Sequence, residues 1–173
     1  MRLVPLLAAA LALAASPAGA TSFNLAASHD GAQETPPVVT AGTGSMSITY
    51  DDVTNLLTWT GTFSGLTGTT TDAHFHGPAA VGAGPAGIQV ATNAGSGDIF
   101  PLGVTSGAFS GSATITDTQE AQLLAGLWYH NIHSSFKTGG EIRGQVLLVP
   151  EPSTLGLLLL GLAGLGWTGR RRI

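Results

Sequence analysis

Imidazole and carboxylate are the groups in this chain best suited to chemistry, and they concentrate in two short stretches. The first is Ala73-His74-Phe75-His76-Gly77-Pro78. The second runs through Asn131-Ile132-His133 to Gly140-Glu141-Ile142-Arg143-Gly144-Gln145. On a β-strand, side chains alternate between faces, so His74 and His76 project together while Ala73 and Phe75 project the other way. The same alternation puts Tyr129, Asn131 and His133 on one face of the downstream strand and Trp128, His130 and Ile132 on the other. His130 is thereby separated from His133. If the two stretches meet, His74, His76 and His133 form a three-imidazole cluster suited to Zn²⁺ or Cu²⁺, which favour nitrogen donors. A competing reading has each histidine bonding a loop carbonyl or Asp72, with no metal. Glu141 and Arg143, two residues apart on one strand face, can grip a ligand carboxylate or saccharide, or else fix the neighbouring loop. Asn131 fits a backbone bond across the closing hairpin.

Other chemistries are poorly supplied. The 173 residues include no cysteine, which removes thiol nucleophiles, disulfides and zinc knuckles. No Gly-x-Ser-x-Gly elbow accompanies the many serines. The Gly-rich stretch from Ala79 to Ala86 lacks the lysine and helix start of a phosphate cradle. Between residues 21 and 150 only Lys137 and Arg143 oppose nine carboxylates, a balance that repels nucleic acid.

The elements that must position these residues read as short strands. Twenty-five glycines, with only 9% charged residues, favour turns and strands over long helices. Phe23–Ala27 opens the first strand, and Gly31–Thr40, with Pro36-Pro37, is irregular. Met46, Ile48 and Tyr50 alternate with polar residues, as do Leu57, Trp59 and Phe63 beyond a turn at Asp51–Asn55, giving a hairpin with one buried face. Further strands fall on the His74–His76 segment, Gly87–Ala91, Ala108–Ile115, Leu127–His133 and Glu141–Val149. One short helix follows Thr116 or Asp117, with Glu120 in capping-box position and Gly126 as its stop. The sum is an all-β domain of about seven to nine strands, a sandwich or Greek-key barrel.

Three motifs in order carry a resemblance: Gly65-Leu66 with Thr70 to Ala79, Gly126 to His133, and Gly140 to Gln145. Residues 23–148 resemble the CHRD domain, first described in the morphogen inhibitor chordin and present in microbial secreted proteins. Trp128, His130 and Ser134 depart from the commoner family residues. The resemblance implies a compact extracellular β domain, immunoglobulin-like or superoxide-dismutase-like, without an established enzymatic activity. It makes the domain, residues 21–148, a binding or structural module. The alternative is a metal-binding domain with redox activity, since the barrel of copper and zinc superoxide dismutase also carries a His-x-His strand.

Both ends read as targeting segments. Met1-Arg2, the apolar run Leu3–Ala15 and Ala18-Gly19-Ala20 have the order of a secretory signal peptide over residues 1–20, which puts the mature start at Thr21. Residues 149–173 begin Val149-Pro150-Glu151-Pro152, continue as an apolar segment from Leu155 to Trp167 and end with Arg170-Arg171-Arg172. This is similar to the PEP-CTERM sorting signal of Gram-negative bacteria. That resemblance implies processing by an exosortase and delivery to the cell surface or extracellular matrix, where exopolysaccharide or another surface protein is the expected partner. The basic cluster holds the C-terminus on the cytoplasmic side while the apolar segment enters the inner membrane as a transmembrane helix. Thirteen residues span only ~20 Å of a ~30 Å core, which suits transient insertion.

Overall fold

The computed structural model describes residues 21–93 and 97–150. The signal-peptide expectation for residues 1–20, and the sorting motif beyond Pro150 with its transmembrane segment, lie outside the described residues. Among the described residues no helix is long and apolar enough to cross a membrane.

Among the described residues, nine strands form one antiparallel sheet. They are β1 (Ser22–Asp30), β2 (Thr43–Asp51), β3 (Leu56–Ser64), β4 (Thr70–His76), β5 (Ile88–Ala91), β6 (Gly107–Thr114), β7 (Tyr129–Ser134), β8 (Ile142–Gln145) and β9 (Leu147–Leu148). Their order is β5-β4-β7-β8-β1-β2-β3-β6, with β9 beside β1. The chain after β5 ties the two flanks together: Ile99 bridges Ser110 of β6, while Gly103 and Val104 exchange backbone bonds with Thr70 of β4. The sheet is thus a nearly closed barrel, as expected of an all-β domain.

Alternation builds the interior. Leu25, Met46, Ile48, Leu57, Trp59, Phe63, Phe75, Phe109, Ile132 and Ile142 are all buried in one cluster. The Trp59 and Phe75 rings meet edge-on at 5.2 Å between centroids. Gly61 takes an inward position where a Cβ would collide with the Phe109 ring, so its smallness lets that ring cross the barrel. The β2–β3 hairpin turns where the sequence places it. Asp51 Oδ1 accepts from the Val53 and Thr54 amides, and Asn55 takes a positive φ of 55°.

Two local expectations are corrected. Glu141–Val149 is not one strand: β8 pairs with β7, and β9 pairs with β1. The break falls where the Gln145 amide donates to the Gln33 side chain, and the Val146 amide returns to the Trp128 carbonyl. The helix α1 (Asp117–Leu124) is capped by Thr116 with Gln119 as the box partner, not Glu120. Substituting Thr116→Ala should lower stability by about 1 kcal/mol in urea unfolding, because the Gln119 amide then loses its acceptor.

Candidate metal centre

The outward face of β4, β7 and β8 is the unusual part of the molecule, because it is polar and yet covered. Register sets His74 beside Asn131 and Asn131 beside Arg143; His76 faces Tyr129 and Asp72 faces His133. The loops Gly31–Thr40 and Ala79–Ala86 close over this face, leaving Arg143 at 2% exposure. A cleft of about 320 Å³ remains between them, lined by Glu34, Thr35, Pro37, Val81, Arg143 and Gln145.

His74, His76 and His133 come together as their strand parity requires, with one nitrogen of each lying within 4.8 Å of the others. Their remaining nitrogens are already engaged. His76 Nδ1 lies 2.9 Å from the Ala86 carbonyl, His133 Nδ1 lies 2.7 Å from the Thr138 carbonyl, and His74 Nε2 lies 3.1 Å from Asp72 Oδ2. Those oxygens can only accept, so each engaged nitrogen carries the proton and its opposite nitrogen carries a lone pair. The lone pairs are on His74 Nδ1, His76 Nε2 and His133 Nε2. The first and third are 3.2 Å apart, and the second is buried with no hydrogen-bond partner. The loop-carbonyl reading and the three-imidazole reading therefore describe the two ends of the same rings.

Two lone pairs facing one another at 3.2 Å repel unless a cation lies between them. A shared proton is one such cation, but burial lowers the pKa of His74, against the pull of Asp72. The other is a metal ion. Donor nitrogens ~2.0–2.1 Å from a tetrahedral ion stand about 3.3 Å apart, close to the distance seen. Imidazoles whose second nitrogen is held by a carboxylate or carbonyl have the outer arrangement of metal-binding histidines.

The other expected site residues take different parts. Glu141 accepts from the Thr40 hydroxyl at 2.5 Å, from the Thr67 and Gly68 amides at 2.6 and 3.2 Å, and from the Ser134 hydroxyl. Burial opposes its ionisation, but these four donors together hold its pKa below the usual carboxylate value. It is a loop anchor. Arg143 goes elsewhere, donating to Thr35 Oγ1 at 3.2 Å and to the Ala83 carbonyl at 2.7 Å, with its guanidinium 3.4 Å above the Tyr129 ring. The Gly-rich stretch thus presents carbonyls to a cation and an imidazole. Asn131 Nδ2 reaches the Gly139 carbonyl at 3.5 Å, across the closing hairpin as expected.

Three participants carry no clear signal in the sequence. Glu34 comes from the irregular loop, where burial pushes its pKa up to about 6 although Arg143 and Asn131 favour the charged form. Its Oε1 sits beside Asn131 without hydrogen-bond geometry. His29 and His130 form a second pair on the inward face, Nε2 to Nδ1 at 2.9 Å. Parity does place His130 away from His133. Parity would also have put His29 with Leu25 and Ala27 on the apolar face of β1.

The motifs thus lie on one covered face, on β4, β7 and β8, of an all-β, barrel-like domain. Residues 25–146 match the family model of the CHRD domain, and the chain belongs to that family. Residues 148–172 match the PEP-CTERM protein-sorting motif, so this is an exosortase-sorted protein exported via the cell envelope of a Gram-negative bacterium. No curated protein and no solved structure shows a significant match.

Proposed function

We propose that the exported chain is a surface-displayed or matrix-associated module whose CHRD domain holds a transition-metal ion, Zn²⁺ or Cu²⁺, on His74, His76 and His133. One observation carries this reading: three imidazole lone pairs converge while the far nitrogen of each ring is fixed by a carboxylate or carbonyl. Removal of residues 1–20 and cleavage near Pro150-Glu151 would release residues 21–150 to the surface. Exopolysaccharide or another surface protein is the partner that setting offers, and the cleft beside Arg143 is the place on this face where a small group can enter.

Calorimetric titration of metal-stripped protein with Zn²⁺ and Cu²⁺ tests the site. The wild type should bind one ion at micromolar affinity or tighter. His74→Ala, His76→Ala and His133→Ala should each weaken binding by about 100-fold or more, since three donors become two. No uptake by the wild type, or equal binding by all three variants, would leave the histidines purely structural.

A further inference from the structure

We propose that the centre has a fourth protein donor, the Asn131 side-chain oxygen, which makes it a His₃-carboxamide site. This rests on the three-histidine reading above and adds a ligand that sequence assigned to a backbone bond.

Asn131 lies on β7 directly beside His74 and two residues before His133, on the same face, and His76 is on the neighbouring strand next to Tyr129. It therefore lies next to the histidine cluster on the same sheet face. It is also 3% exposed, so its amide is not a surface group that water can satisfy.

Asn131 Nδ2 donates to the Gly139 carbonyl, and Glu34 Oε1 lies on the same side, since a Cβ on Gly140 would run into both Glu34 Oε1 and Asn131 Nδ2. Gly140 takes a φ of +125°, a conformation glycine reaches at little cost, and so leaves room for that pair. With the nitrogen held there, Oδ1 is turned the opposite way. It has no hydrogen bond of good geometry, nor has His76 Nε2, although the two groups are close enough that Asn131 favours the charged form of His76. Buried polar atoms are nearly always satisfied, and the lone pairs of Asn131 Oδ1 and His76 Nε2 call for a partner that accepts from both. A cation does so; a water donating to both would satisfy them but leave the His74 and His133 lone pairs opposed.

The charge balance agrees. Three imidazoles and a carboxamide are neutral donors, so a divalent ion arrives with its full charge. Asp72 behind His74 and Glu34 behind Asn131 are the two carboxylates placed to offset it. Nitrogen-rich donors with one oxygen select Zn²⁺ or Cu²⁺ over Mg²⁺ or Ca²⁺.

The test uses the full chain in detergent, stripped of metal and titrated at pH 8 with Zn²⁺ and, for its visible spectrum, Co²⁺. Asn131→Ala should weaken Zn²⁺ binding about 10- to 100-fold. Asn131→Asp, of the same shape, should tighten it about 10-fold and shift the Co²⁺ bands, because a carboxylate replaces a neutral oxygen on the ion. Opposite signs from the two variants are not expected of a residue that only shapes the strand. If Asn131→Ala does not fold, Asn131→Asp decides alone. Unchanged affinity with unchanged Co²⁺ bands in the aspartate variant, or a shift of both variants in the same direction, overturns the fourth donor while leaving the three histidines standing. A wild-type protein that takes up neither ion overturns both readings.

Discussion

Glu141→Ala should remove about 5 kcal/mol of folding stability, measured as the shift in urea midpoint of the purified protein. Four donors converge on this carboxylate, from Thr40, Thr67, Gly68 and Ser134. Each buried donor left without an acceptor costs about 1–3 kcal/mol, and water can reach the Thr40 and Thr67 side of the group, so the total falls below the simple sum. Domains of this size are commonly stable by only ~5–15 kcal/mol, which makes one side chain a large share. Glu141→Gln should cost less, because its oxygen can still accept on one side while its NH₂ opposes the donors on the other. A loss under 1 kcal/mol for the alanine variant would show that the loops at 40–42 and 66–69 hold their places without it.

Much of this architecture is legible because a strand has a period of two. That period alone separates His74, His76, Asn131 and His133 from Phe75, His130 and Ile132, and it places Met46, Ile48, Trp59 and Phe63 inside. It also holds for the last strands until Gln145, where a side chain from the 3-10 turn Gly31–Gln33 captures a ladder amide and splits the strand. No local pattern announces that event, since the captor lies far upstream. Glu34 was out of reach for the same reason. An irregular loop has no period, and its contact with Asn131 depends on how two loops fold over a sheet face. Strand parity can say that Glu141 and Arg143 share a face, but not that one gathers hydroxyls and amides while the other stacks on Tyr129. The partners of a polar residue are set by what covers it, and covering is a tertiary property.

Acid should destabilise the fold between about pH 6.5 and 4, through the inward pair His29 and His130. Their protons can be traced. Thr92 donates its hydroxyl to the Ala73 carbonyl at 2.7 Å, so at 3.5 Å its oxygen accepts from His130 Nε2; His130 Nδ1 then accepts from His29 Nε2 at 2.9 Å. Both rings are neutral in this chain, and a further proton would have to enter among Phe75 and Phe109, which pack on His130. Burial lowers the His29 pKa from 6.5 to about 4, against the Gly44 carbonyl and Asp30, and lowers that of His130 well below its ordinary value, with the neighbouring histidines adding to the effect. The unfolded chain therefore binds protons that the folded one refuses, and stability is complete above pH 6.5 and falls as pH drops. For His29 alone the shift corresponds to about 3 kcal/mol by pH 4, with His130 acting in the same direction. Glu34 acts oppositely: its raised pKa lets the folded state take a proton between about pH 6 and 4.5, which returns roughly 2 kcal/mol. The net result is still a loss, read as a urea midpoint that declines from pH 7.5 to 4.5. The double variant His29→Leu/His130→Phe replaces both partners of the bond by apolar groups of similar size, a change that can be nearly neutral at pH 7.5. It should show a shallower acid decline than the wild type; what remains comes from His74 and His76, whose pKa values burial also lowers, and is offset in part by Glu34. A double variant whose midpoint falls with pH as steeply as the wild type would assign the acid sensitivity to groups outside the barrel interior.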